Sequence, residues 1–201
     1  MNPLQTRGGT VIAGIVLAII IAFLLPRPPG TSLNLWELSV WFHAVVGVAW
    51  IGLLYYFNAV QVPAVAAANA DQGGPGAAGI NKYVAPRALF WFRWAAVLTW
   101  LSGAAALEIM HTGPGSGFVA AFTFVQGWST IGMGAWLGTI MLFNVWVLIW
   151  PNQKKLLGLV PATDEEKAKA RKVGFLASRT NVMLSIPMLM GMTAHAHGLP
   201  F

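Results

Sequence analysis

The sequence predicts an all-α integral membrane protein, one transmembrane helical domain over residues 1–201 built as a bundle of about five spanning helices. Two observations predict it. Apolar residues make up 57% of the chain and charged residues 9%, a balance that a water-soluble domain of this size cannot cover with polar surface. The apolar residues also gather in runs close to the about 20 residues that a helix needs to cross a hydrocarbon core about 30 Å thick. A third observation narrows the chemistry. The chain has no cysteine, which excludes disulfides, thiolate metal sites, iron–sulfur clusters and covalent c-type haem, so a metal would rest on His, Met or carboxylate.

The first run, 8–25, follows Arg7 and has the length and charge of a signal peptide. It ends in Leu24, Leu25, Pro26, Arg27 and Pro28 without a small-x-small cleavage site, so it reads as an uncleaved span. The second run is 35–62. The third, 88–110, is preceded by Pro86, and the fourth, 129–150, is expected to end at Pro151, where a missing N–H and a fixed φ stop a helix. The fifth is 173–194. Between the second and third, residues 64–86 are rich in Ala and Gly with Pro75, and read as a flexible loop. Residues 118–126 are too apolar for an open loop and too short to cross, which places them along the interface. In 152–172, Thr163 opens a capping pattern, Asp164, Glu165 and Glu166 fill a first helical turn, and Lys167, Lys169, Arg171 and Lys172 follow, an order that suits the helix dipole.

The net charge of +6 is a topology signal rather than a nucleic-acid patch, because the basic residues lie between apolar runs. With five spans, Arg7, Lys82, Arg87, Lys154, Lys155, Lys167, Lys169, Arg171 and Lys172 fall on one side and Arg27 on the other. The positive-inside rule then predicts a multi-pass protein of a bacterial inner membrane, its N-terminus cytoplasmic and its C-terminus, at Phe201, periplasmic. Trp36 and Trp41 near one interface, and Trp146 and Trp150 near the other, stand where indole rings anchor.

Polar side chains within the spans are the informative ones, since each costs free energy in hydrocarbon unless it meets a partner. His43 sits in an apolar helix six residues past Glu37, roughly 9 Å below the outer surface at the rise of a helix, and Gly47 shares its face one turn on. A histidine beside a glycine suits a haem ligand, the ring nitrogen binding iron while the missing side chain leaves room for the porphyrin edge. It equally suits a hydrogen bond and a close contact between helices, a role open to Gly134 and Gly138 also. His195 and His197 end the fifth span and His111 the third, so all four histidines are expected toward the outer side, either as a metal site or as residues facing water. His195 stands higher than His43, and pairing them on one iron needs tilt or a kink, which Pro187 could supply.

Met188, Met190 and Met192 beside these histidines open a copper reading, since thioether and imidazole suit copper(I), although residues two apart on a helix point in different directions. Arg93 and Arg179, near the inner ends of their spans, are expected to snorkel to headgroup phosphates. Glu37 and Glu108 are candidates for proton relay or for orienting a ligand histidine, and Asn58, Asn144 and Asn181 for bonds between helices. The run from Gly113 to Gly117 is a turn and not a phosphate loop, since neither a strand precedes nor a Lys follows it.

From Trp41-Phe42-His43-Ala44-Val45-Val46-Gly47 through Trp50-Ile51-Gly52 to Tyr55-Tyr56-Phe57-Asn58, the sequence closely resembles the membrane domain of the bacterial urate hydroxylase family, the urate oxidase N-terminal domain. Phe92-Arg93-Trp94, Asn144-Val145-Trp146, Ile149-Trp150-Pro151-Asn152-Gln153 and Arg179-Thr180-Asn181 resemble it too, so the likeness runs from about Trp36 to the end. It implies a membrane-bound oxidoreductase of the urate-oxidising type acting with b-type haem, in a family whose full-length members carry a C-terminal cytochrome c domain. No Cys-x-x-Cys-His occurs in these 201 residues, so a separate periplasmic cytochrome c is the expected electron acceptor. Carried over by position, His43 and His195 are the expected ligands, with His197 as the substitute for His195. The Trp-x-His and Trp-x-Gly pattern is also faintly similar to the copper-resistance D and membrane protoporphyrinogen oxidase families. Two other functions stay open: a non-enzymatic subunit anchoring a larger membrane complex, and a copper-handling protein.

Overall fold

The structure, a computed structural model, describes residues 2–26, 30, 32–110 and 115–199. The expectations for Arg27, His111 and Phe201, and part of the turn at 113–117, therefore lie outside the described residues. Helix accounts for 83% of the structure, and no strand occurs among the described residues. The chain forms two compact units, Met1–Asn34 and Leu35–Phe201.

The first unit holds a short 3-10 turn, Pro3–Gln5, and α1, Arg7–Leu24. Thr6 caps α1 by accepting the Gly9 N–H at 3.1 Å, which satisfies one of the donors a helix start leaves free. No residue of α1 is buried. A helix that is apolar on every side is stable only in an apolar surrounding, and here that is the character of a lipid-facing span.

The second unit contains α2 (Leu35–Tyr56), α3 (Val62–Ala70), α4 (Ala85–Ile109), α5 (Gly117–Phe122), α6 (Ser129–Phe143), α7 (Trp150–Leu156) and α8 (Asp164–His197). Three π-helical segments, Phe57–Gln61, Ile80–Val84 and Asn144–Ile149, lead into α3, α4 and α7, and each of those helices carries a proline in its first two positions. The coincidence has a physical cause. Proline offers no N–H and its ring collides with the carbonyl one turn back, and a wider turn moves that carbonyl away without ending the helix.

Two expectations are corrected by this device. The fourth span does not stop at Pro151 but continues through it to Leu156. The expected loop 64–86 is largely helical: α3 runs to Ala70, non-helical chain occupies only 71–77, and helix resumes at 78. Asp71 organises the connection by accepting the Gly73 N–H at 3.2 Å.

Among the described residues four helical stretches are long and apolar enough to cross a membrane: Arg7–Leu24, Leu35–Ala70, Ser129–Leu156 and Asp164–His197. The sequence counted five. The remaining expected span, 88–110, is the helix α4, whose Arg87, Arg93 and Glu108 make it less apolar. Large apolar side chains are exposed along α1, α2, α4, α6 and α8, far more than a soluble monomer leaves in contact with water. The chain has the build of a membrane protein.

Within the second unit α2 packs chiefly along α4 and α6 along α8. Trp50, Leu54, Phe92, Met141 and Val145 meet at the centre, none more than 2% exposed. Gly191 brings α8 close to α6: a Cβ there would stand 2.7 Å from the Thr130 carbonyl oxygen and 2.9 Å from the Gly134 nitrogen. Gly138, by contrast, has no neighbour within 4 Å of a Cβ.

Polar ties then fix the register. Asn144 Nδ2 donates to Asn181 Oδ1 at 2.8 Å, and Asn181 Nδ2 donates to the Met141 carbonyl at 3.0 Å. Asn58 Nδ2 donates to Ser178 Oγ at 2.8 Å. The bonding between helices expected of these three asparagines is therefore present. Tyr55 to Ser185, 2.9 Å, and Trp100 Nε1 to Thr139, 2.8 Å, add two more ties.

The segment 118–126 does not lie apart. Its Ala121 is fully buried and packs in a cluster with Leu107, Trp128 and Ala135, so α5 closes one end of the bundle against α4 and α6. At the other end α8 begins with the expected capping box, Thr163 Oγ1 accepting the Glu166 N–H and Glu166 accepting the Thr163 N–H.

Candidate functional site

The end closed by α5 contains a cavity of about 380 Å³, within the range of about 300–1,000 Å³ typical of small-molecule sites. Two histidines line it, His43 from α2 and His195 from α8. They are far apart in sequence, and the packing of α2 and α8 on their partners brings both to one apolar space.

His43 is oriented by α4. Its Nδ1 lies 2.8 Å from the Thr99 carbonyl oxygen. A carbonyl only accepts, so this bond requires the proton on Nδ1, and in the neutral ring Nε2 then keeps its lone pair. That is the tautomer a metal-ligating histidine needs, with a backbone carbonyl as the outer partner that fixes the ring. The Thr99 hydroxyl turns away to donate to Ala95 at 2.7 Å, while Ser102, whose Oγ lies 3.4 Å from the same His43 Nδ1, donates to Leu98 at 2.6 Å.

Gly103, one turn on from Thr99, is where the imidazole rests. A Cβ there would stand 2.8 Å from His43 Cε1 and 3.0 Å from Nδ1, closer than side-chain packing permits. Gly47 is placed differently: a Cβ at that position would meet Thr99 Cγ2 at 3.7 Å, an ordinary contact, and Gly47 is not part of the cavity wall. His195 stacks at a tilt on Trp128, ring centroids 5.6 Å apart, while His197 is exposed and outside the wall.

The rest of the wall is apolar and aromatic, with Trp36, Trp50, Trp100 and Phe118 among it, and Met188 and Met192 of α8 face the same space. Those two methionines are four residues apart, and so share a helix face in a way that Met190 does not. Trp50 Nε1 is buried with no hydrogen-bond partner, an unsatisfied donor beside the cavity. Among the described residues no three His, Cys, Asp or Glu side chains gather as a metal site.

The donor chemistry fits haem: His43 and His195 are the imidazoles that would hold it, and the rest of the wall is apolar and aromatic. Among the described residues no Lys or Arg lines the cavity. Arg93 lies elsewhere, its guanidinium 3.5 Å from the centre of the Trp150 ring, and Arg179 lies over Phe175 at 5.2 Å. Glu108 is engaged by the Ser116 hydroxyl.

Thr99, Gly103 and Trp128 were not legible as site residues in the sequence. The available signal was the small-residue face of α4, where Ala96, Thr99, Gly103 and Ala106 recur at helical spacing, a pattern that marks close helix approach but not what approaches.

The fold and cavity thus define a helical membrane protein with a histidine-bearing apolar site. The urate oxidase N-terminal family model matches residues 32–126 and 115–201, and the chain belongs to that family. No curated protein and no solved structure matches it.

Proposed function

We propose that this chain is a multi-pass protein of a bacterial inner membrane that holds b-type haem and passes electrons from a small reduced substrate to a periplasmic cytochrome c. The carrying observation is the convergence of His43 and His195 on one apolar cavity, with the His43 Nδ1 proton committed to the Thr99 carbonyl. The family's name supports urate as the substrate. When bound, haem would supply the one-electron redox chemistry.

The chain's own residues supply the setting. Thr99 fixes the tautomer of His43, Gly103 gives its ring space, Trp128 supports His195, and α5 with the aromatic wall limits the entry of water. The basic residues on the side opposite this cavity support a cytoplasmic N-terminus and a periplasmic site.

The test is a reduced-minus-oxidised visible spectrum with a pyridine haemochrome assay on detergent-purified protein from haem-sufficient cells. A b-type signal is expected, and His43→Ala is expected to abolish it with the helical circular dichroism unchanged. Haem content unaltered by His43→Ala would sink the ligand assignment.

A copper(I) site is the second reading, favoured by Met188 and Met192 facing the same cavity as the histidines. Metal analysis separates the two, since copper without haem would replace the first reading. A blank in both, with partners co-purifying in fixed ratio, would leave an anchoring subunit of a larger membrane complex.

A further inference from the structure

A second cavity, of about 710 Å³, lies at the basic end of the bundle, and the redox reading makes no use of it. All three π-helical segments contribute to its wall, through Asn58 and Gln61 from the first, Asn81 from the second and Ile149 from the third. Such wide turns set side chains off the regular helical register and recur at functional sites. The first two follow one local plan, an asparagine five residues before the proline: Asn58 with Pro63, and Asn81 with Pro86.

Opposite them, α8 presents Arg171 and Lys172 and α7 presents Gln153, and among the described residues no acidic side chain lines the cavity. Of the carboxylates in the first turn of α8, Glu166 pairs with Lys155 at 3.5 Å and Asp164 with Lys167 at 3.6 Å. Neither Arg171 nor Lys172 has an acidic partner among the described residues. Gln61 Oε1 is buried and accepts no hydrogen bond. The floor is apolar, formed by Leu89 and Phe92.

Two adjacent cations without counter-ions, amides with spare hydrogen-bonding capacity and an apolar floor together describe a site for an anion with a less polar body. We propose that this cavity binds a phosphate group, held by Arg171 and Lys172 and by the Gln153 amide N–H, with Gln61 Oε1 accepting from a hydroxyl of the phosphate or of the molecule that carries it. Arginine's planar fork matches phosphate oxygens. Basic pockets between membrane helices take anionic headgroups by the same chemistry, so the phosphate could arrive on a lipid or on a free solute.

The experiment uses the whole chain in neutral detergent. Native mass spectrometry reads the retention of phosphatidylglycerol against phosphatidylcholine, and thermal unfolding is followed with and without inorganic phosphate. The variants are Arg171→Gln with Lys172→Gln, the single change Gln61→Leu, and Lys169→Gln as a basic control outside the wall.

Preferential retention of phosphatidylglycerol, weakened at least tenfold in the double variant and unchanged in the control, identifies a lipid headgroup. A phosphate-dependent rise in unfolding temperature with the same dependence on variants identifies a free anion. Equal retention of both lipids with no phosphate effect, or a double variant indistinguishable from the control, overturns the proposal. If the double variant loses its helical signal, Gln61→Leu decides, and unaltered binding there overturns it. Haem absorbance enters none of these readouts, so this proposal and the redox reading fail separately.

Discussion

Gly103 and Gly47 make opposite demands on a single methyl group. At Gly103 the added carbon would stand 2.8 Å from the His43 ring, and at Gly47 it would meet a Thr99 methyl at 3.7 Å. Gly103→Ala is therefore expected to push the imidazole off the Thr99 carbonyl and, if the proposed haem is held there, to remove most of it, with the protein still inserted. Gly47→Ala is expected to keep it. Cofactor content per helical signal in the two variants checks this, and equal retention would show that the His43 position does not depend on Gly103. The glycine that the sequence offers beside His43 is its neighbour on α2, whereas the one that touches the ring comes from α4. Spacing along one helix could not reveal that contact.

At the scale of elements, the crossing of α6 and α8 depends on Gly191, whose neighbours are backbone atoms of Thr130 and Gly134 and cannot rotate away. Gly191→Ala should force the helices apart at a cost of about 1–3 kcal/mol, as overpacked cores do. Denaturant titration in detergent would read it as an earlier unfolding midpoint. The start of α8 carries a pH dependence of definite sign. Glu166 is held below the usual carboxylate range by the Thr163 N–H it accepts and by the Lys155 charge. A depressed folded-state value means that its contribution is present above the ordinary carboxylate range and is lost as acid carries the solution through the lowered one. The protection of the first-turn amides of α8, taken relative to their intrinsic exchange rate at each pH, should therefore fall at acid pH, and Glu166→Gln should show that lower protection already at neutral pH with little further change on acidification.

The prolines carry the element-scale lesson about reading sequence. Pro86 and Pro151 argue locally for helix ends, and Pro63 lies just beyond the expected second span. The structure absorbs all three in wide turns. A lost N–H and a displaced carbonyl are tolerable when packing against neighbouring helices holds the chain in line, and that packing is a property of the bundle.

For the whole molecule, orientation in the membrane is the open physical variable, and the absence of cysteine makes it directly testable. Single cysteines replacing Lys169 and Leu199, both exposed, should behave oppositely toward an impermeant maleimide. In intact spheroplasts Leu199→Cys is expected to label and Lys169→Cys to stay unlabelled until the membrane is permeabilised. The reverse pattern would invert the topology. α8 has 34 residues, roughly 51 Å at the rise of a helix and longer than a core of about 30 Å. Its basic first turns accordingly extend past the apolar layer and form one wall of the second cavity.

The sequence by itself determined that the chain is helical and membrane-directed, because apolar run length and composition act locally and need no tertiary partner. It also marked His43 and His195 as the residues to watch, and the resemblance at Trp41 to Asn58 led to the family that the comparison shows. Tertiary structure decided that these two histidines share a cavity while His197 stays outside it, and that the Thr99 carbonyl fixes the His43 tautomer. It decided too that three proline-bearing turns meet beside Arg171 and Lys172. Each of these is a juxtaposition of distant segments, set by how helices cross and how closely glycines let them approach, and periodicity along a single chain carries no record of it.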